Sequence, residues 1–153
     1  MLNHVLSHNE ISDNGSLFAI HSSLEPFSLA FKINYSLNTK LVRCGLDITF
    51  KNNEENYMVY KNFPKENETQ IWLFSNSFTV YSKNKSSVFL FEEEQVERSL
   101  LPEFPKVDFV LKIIGEKTYC SKFTKKLNLM AEILSCYPLP EKKIKSKHNL
   151  IFD

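Results

Sequence analysis

Short runs of β-branched and aromatic residues, separated by polar stretches, make up most of the chain. The most regular is Val107–Ile114, where alternate residues are apolar, as in a strand with one buried face. Leu17–Ile20 forms a similar run after the turn signal Asn14-Gly15. Runs between residues 41 and 91 predict an antiparallel meander, and Ser135–Leu139 predicts a last strand.

One segment near the C-terminal end has the spacing of an amphipathic helix. It runs from Ser121 to Leu134, with apolar residues three or four positions apart and lysines largely opposite. The apolar positions are Phe123, Leu127, Met130 and Leu134. We therefore predict a helix in which Leu127 and Met130 are buried.

The segment Phe27–Leu37 is ambiguous. Its apolar residues alternate strictly, and this periodicity alone favours a strand. The preceding residues favour a helix: Ser22 and Ser23 offer N-cap hydroxyls, Glu25 completes a capping box, and Pro26 suits a first helical turn. The residues themselves leave both possibilities open.

The composition restricts the class of protein. A chain of 153 residues with 42% hydrophobic and 24% charged residues is long enough to bury one core. Its net charge of +1 is too small to attract nucleic acid through the overall charge of the protein. Its three glycines are isolated, which excludes glycine-rich phosphate loops. The abundant Lys and Asn have AT-rich codons, so we attribute this bias to base composition. Three widely spaced cysteines predict buried free thiols and no zinc site, and we expect no metal or cofactor.

The string Leu101-Pro102-Glu103-Phe104-Pro105-Lys106-Val107-Asp108-Phe109 resembles the signature of the IPExxxVDY family of small bacterial proteins. Leu101 occupies the position of Ile in the signature, and Phe109 occupies the position of Tyr. The resemblance extends to Ile20–Glu25 and to Lys145–Phe152. It implies a helix after the His-Ser-Ser turn, which decides the ambiguous segment for us, but it implies no particular activity.

With that helix, the element order is β-α-β, a meander, then β-α-β. This order predicts a single α+β domain over 1–153, with ferredoxin-like or ACT-like ends and an antiparallel β-meander insertion. We expect 1–14 to be a flexible N-terminus and 141–153 to be a basic C-terminal tail. With no signal peptide or apolar stretch of membrane-spanning length, we expect a cytoplasmic protein with no membrane partner.

Glu103 and Asp108 are the obvious carboxylate pair. Two neighbouring carboxylates can divide acid and base roles, but five extended residues would separate these by about 16 Å unless Pro105 marks a turn. The alternative is structural, with Pro102 and Pro105 shaping the start of the strand and Glu103 accepting from backbone donors. Asp108 falls opposite the apolar face, so we expect it on an open face of the sheet, where it either makes a structural hydrogen bond or contacts a ligand or partner.

His21, Ser22 and Ser23 lie at the predicted start of a helix. They either cap it or bind an anion there, and no orienting acid or oxyanion hole is visible for catalysis. We name no catalytic residue. The candidates for ligand or partner binding are Pro102, Glu103, Asp108, His21, Ser22 and Ser23.

The one basic cluster lies near the C-terminal end. Its members Lys142, Lys143, Lys145 and Lys147 are either solvated or form an RNA-binding arm. We expect a non-enzymatic interaction or regulatory module with a protein partner or a homodimeric state. The alternatives are RNA association through these lysines and an unrecognised enzyme.

Overall fold

The structure, a computed structural model, describes residues 15–50, 55–66, 68–83 and 93–150. The predicted flexible N-terminus at 1–14 and the last three residues of the predicted tail lie outside this part. Its strands are β1 Gly15–His21, β2 Val42–Arg43, β3 Ile48–Thr49, β4 Asn56–Tyr57, β5 Val59–Lys61, β6 Gln70–Ser75, β7 Ser77–Lys83, β8 Glu93–Ser99, β9 Phe109–Ile114 and β10 Ser135–Pro138. The helices are α1 Pro26–Leu37 and α2 Lys117–Asn128, and two 3₁₀ turns follow at Glu141–Lys143 and Lys147–Leu150.

Six strands form one antiparallel sheet in the order β10-β1-β9-β6-β5-β2. The central strand β9 pairs with β1 and β6, so that Val110 lies between Ala19 and Phe74. Part of the predicted meander joins this sheet through β5 and β6, whereas β3–β4 and β7–β8 form separate two-stranded sheets. Strand β8 contains the acidic residues Glu93, Glu94 and Glu97. The α+β class is confirmed.

Both helices pack on one face of the main sheet. Leu29 and Ile33 of α1 and Phe123 and Leu127 of α2 are buried there, in one cluster with the side chains of the sheet. The helix at Pro26–Leu37 is confirmed, with its proline in the first turn. Its alternating pattern misleads because only part of the apolar residues face the sheet, while the others remain exposed.

The opposite face of the sheet is also covered. A second cluster contains Val110 from β9, Leu101 and Val107 from the loop before it, and Leu150 from the C-terminal 3₁₀ turn. The prediction of an open face at Asp108 is therefore wrong. Strand β9 begins only at Phe109, so the alternation that we extended back to Val107 does not hold there.

The predicted boundaries of α2 are also wrong. The helix begins at Lys117 and ends at Asn128, where the side-chain amide of Asn128 bonds both backbone groups of Cys136. Leu127 and Met130 are buried as expected, but Leu134 is 78% exposed. The chain has left the helix by then, so helical spacing no longer decides which side chains are buried.

Candidate functional site

The signature string forms a loop from 100 to 108, between β8 and β9, and a buried asparagine holds it in place. Asn76, between β6 and β7, donates from Nδ2 to the carbonyls of Phe104 and Val107 at 2.9 and 2.7 Å. Its Oδ1 accepts from the amide of Leu101 at 2.8 Å. Asn76 is completely buried, and its bonds to the Val107 carbonyl and the Leu101 amide are buried as well, so they satisfy backbone groups away from water. Sequence reasoning missed this residue, although a polar residue between two strand runs was a usable signal.

Glu103 attaches the C-terminal segment to the signature loop. Its Oε2 accepts from the amides of Lys145 and Ser146, both at 2.9 Å, while its Oε1 is buried without a hydrogen-bond partner among the described residues. Asn149 adds a bond to the carbonyl of Leu100 at 2.9 Å. The expectation that Glu103 accepts from backbone donors is confirmed, and the donors come from the predicted tail.

At the other end of the loop, three predicted residues meet. Asp108 Oδ2 accepts from the Ser22 amide at 2.9 Å and lies 4.0 Å from His21 Nδ1. His21 Nε2 shares a 2.8 Å hydrogen bond with the hydroxyl of Tyr137, and the two rings stack. Asp108 also keeps 42% of its side chain exposed. The corner is thus a chain of polar contacts, and Tyr137 is the member that sequence reasoning missed.

Neither serine caps a helix. Ser22 Oγ accepts from the amide of Leu24 and donates to the carbonyl of Glu132, which ties a turn to the segment after α2. The N-cap of α1 is Glu25, whose side chain makes no capping bond, and Ser23 is exposed. The predicted capping box is therefore wrong, because the helix begins later than the serines. Anion binding by His21, Ser22 and Ser23 stays a prediction.

The structure does not bring Glu103 and Asp108 into one site. Glu103 contacts the C-terminal segment, whereas Asp108 contacts the end of β1. Their separate partners leave no described contact between the two carboxylates. A shared acid–base mechanism therefore receives no geometric support.

A cavity of about 380 Å³ lies beside the signature loop. Pro102 and Pro105 form part of its wall. Pro102, the last of the predicted binding candidates in the signature string, therefore lies at this cavity. Within it, Glu55 Oε1 accepts from Arg98 Nε at 2.8 Å. The other lining residues are Phe50, Tyr57, Glu97, Ser99 and Asn149.

The basic cluster lies on a segment that is attached to the protein body. Lys142, Lys143 and Lys145 are exposed, while Lys147 is half-buried. Burial lowers the pKa of Lys112, and the nearby charge of Lys147 lowers it further. These positions leave three lysine side chains accessible to an anionic partner.

An aromatic face lies on the solvent side of α1. We define it as Phe27, Phe31 and Tyr35, which follow one another at four-residue spacing. They are 61%, 65% and 84% exposed. Sequence reasoning missed this face, because it weighed the apolar residues of the segment only for a choice between strand and helix.

Comparison of the chain with protein-family models, with curated proteins and with solved structures found no match. Among the described residues, no group of three or more His, Cys, Asp or Glu side chains is arranged to hold a metal ion. No helix in that part of the chain is long and apolar enough to cross a membrane.

Proposed function

We propose that the protein is a non-enzymatic interaction module that binds a protein partner through the aromatic face of α1. The observation that carries this proposal is the exposure of Phe27, Phe31 and Tyr35 on one side of a single helix. Contiguous exposed apolar side chains are unfavourable in water, and in folded proteins they mark interaction surfaces. Aromatic residues are also the side chains most enriched among binding hot spots.

The rigidity of the support favours the same function. On its inner side, α1 is fixed by Leu29 and Ile33, which are completely buried. At its C-terminal end, Asn34 bonds both backbone groups of Leu41. A preformed aromatic surface loses little conformational entropy on binding, so more of the contact energy remains for affinity.

We also propose that the chain belongs to the IPExxxVDY family and that its sheet has ferredoxin-like ends. The strand order β10-β1-β9-β6 supports the second point, with α1 following β1 and α2 connecting β9 to β10. The signature loop would then have a structural part in the fold. Its residues join β8, β9 and the C-terminal segment.

The test compares two substitutions of exposed residues. Phe31→Ser removes the centre of the aromatic face, and Leu46→Ser removes a side chain that is 77% exposed in the β2–β3 connection. The full chain carries an affinity tag in cells that express it, and recovered proteins are quantified by mass spectrometry. Sedimentation velocity measures self-association in parallel.

We expect Phe31→Ser to reduce partner recovery, or dimerisation, by about tenfold or more, because burying a Phe side chain contributes about 1.5–3 kcal/mol. Leu46→Ser should leave both unchanged. Equal recovery by the two variants contradicts the proposal. A monomeric wild-type protein that recovers no protein contradicts it as well.

The basic segment supports a second candidate function, RNA association. Lys142, Lys143 and Lys145 are exposed on a segment that Glu103 fixes to the body. A Lys142→Gln/Lys143→Gln/Lys145→Gln variant should then lose most RNA affinity, and the salt dependence of binding should become weaker. RNA recovery that survives this substitution contradicts the second candidate.

A further inference from the structure

The cavity beside the signature loop is built around a buried carboxylate. The Glu55 side chain is only 6% exposed, and its described ion pair is the single 2.8 Å contact with Arg98 Nε. Burying an ionised carboxylate is costly unless it is paired and hydrogen-bonded. Arg98 itself is 54% exposed, so this partner is a surface side chain that can move into solvent when another cation takes its place at Glu55.

The lining has an excess of negative charge. Two acidic residues, Glu55 and Glu97, line the cavity together with one basic residue, Arg98. Burial, together with the charge of Glu55, raises the pKa of Tyr57 to about 12, so its hydroxyl is neutral and adds no further charge. An anion entering this cavity would meet net repulsion, whereas a cation would be attracted.

The remaining wall is suited to the hydrocarbon part of a ligand. The rings of Phe50 and Tyr57 meet edge to face with centroids 5.9 Å apart, and Pro102 and Pro105 close the cavity on the side of the signature loop. Aromatic rings next to carboxylates attract organic cations through the negative face of the ring as well as through charge. The volume of about 380 Å³ is at the small end of ligand pockets.

We propose that this cavity binds a small organic cation through Glu55, with an amine or guanidinium group on the carboxylate and its carbon chain against Phe50 and the two prolines. The guanidinium of Arg98 occupies the carboxylate when no ligand is bound, and the ligand displaces it toward solvent. Pro102 and Pro105 thereby acquire a binding role. This inference is independent of the aromatic face on α1.

Because the ligand and Arg98 compete for Glu55, substitutions of Glu55 and of Arg98 should change the affinity for the ligand in opposite directions. Agmatine, which carries a guanidinium and an amine, is titrated into the full chain by isothermal titration calorimetry, and butyrate serves as the anionic control. Glu55→Gln should weaken agmatine binding at least tenfold, because the charge of the site is lost. Arg98→Gln should strengthen binding several-fold, because the competing cation is gone. Glu66→Gln, an exposed carboxylate elsewhere, should change nothing.

An NMR titration of the wild-type protein tests the same proposal without any substitution. Agmatine should shift the backbone amide signals of Phe50 and Ser99, which line the cavity, and leave those of α1 unchanged. Circular dichroism spectra establish that the Glu55→Gln and Arg98→Gln variants are folded. If either variant is unfolded, the NMR titration of the wild-type protein alone tests whether agmatine binds in the cavity.

Three results would overturn the proposal. The first is the absence of localised shifts at 20 mM agmatine. The second is agmatine binding that Glu55→Gln leaves intact. The third is butyrate binding that Arg98→Gln abolishes, which would identify the cavity as an anion site.

Discussion

Replacing Asn76 by Ala should show whether one side chain holds the signature loop in place. Asn76 is completely buried and makes three hydrogen bonds to the loop, to Leu101, Phe104 and Val107. The substitution removes the described partner of the Leu101 amide and of the Val107 carbonyl, whereas the Phe104 carbonyl keeps a 3.3 Å bond from the Val107 amide. Each lost bond costs about 0.5–1.5 kcal/mol net, and an unsatisfied buried group costs about 1–3 kcal/mol. We therefore expect a loss of about 3–5 kcal/mol, a large part of the total stability of a domain of this size.

Urea unfolding followed by far-ultraviolet circular dichroism measures this loss, with Asn128→Ala as the matched control. Asn128 also bonds two backbone groups with its side-chain amide, but it is exposed, so water replaces its bonds and we expect a loss of about 1 kcal/mol or less. If Asn76→Ala costs no more than Asn128→Ala, burial of the polar contacts is not what stabilises the loop. The reasoning would then be refuted.

Three further predictions concern the core, the C-terminal segment and the thiols. Leu127→Ala should cost about 2–5 kcal/mol in urea unfolding, since Leu127 is completely buried, whereas Leu134→Ala should cost under about 0.5 kcal/mol; equal losses would contradict the packing. Glu103→Gln should speed amide hydrogen exchange across residues 145–146, and unchanged rates would contradict the attachment. Burial raises the pKa of the Cys136 thiol to about 12, so iodoacetamide at pH 8 should modify the half-buried Cys44 first and Cys136 only on unfolding.

The stability of the fold should also depend on pH through Cys136. Because its pKa is raised in the folded state, the unfolded chain ionises first as pH rises, so stability is complete below the ordinary thiol pKa and falls toward pH 12. Urea midpoints measured at pH 7 and pH 10 should differ less in Cys136→Ala than in the wild type. An identical pH dependence in the two proteins would exclude this contribution.

Several strands and the existence of α2 could be predicted from the sequence, because one face of each of these elements is polar. The residues of α1 left helix and strand open, and the family resemblance decided between them. At Val107–Ile114 the pattern identified the strand but misplaced its start, and it could not show that the opposite face is covered too. That cover comes from the loop at Leu101 and from Leu150, about 40 positions further along the chain. Such long-range packing leaves no periodic signal in a single sequence.

The group of polar contacts around His21 and Asp108 could be predicted only in part, because it too depends on contacts between distant parts of the chain. His21 and Asp108 stood out as polar residues beside apolar strands, but their meeting depends on the antiparallel pairing of β1 with β9. Tyr137 reaches His21 because β10 pairs on the other side of β1. The cavity carboxylate at Glu55 could not be found at all, because a single Glu in a polar turn is typical of a solvated side chain.

The many asparagines gain a structural explanation that base composition does not supply. Asn34, Asn62, Asn76 and Asn128 each use their side-chain amide to bond backbone groups of a later segment, in every case through both the oxygen and the nitrogen. Asn38 adopts the left-handed conformation at the end of α1, with φ of 56°, a position where glycine is the commonest residue. A chain with only three glycines thus ends a helix and holds its connections with asparagine. Base composition explains why asparagine was available, and the hydrogen-bonding capacity of its amide explains why these positions use it.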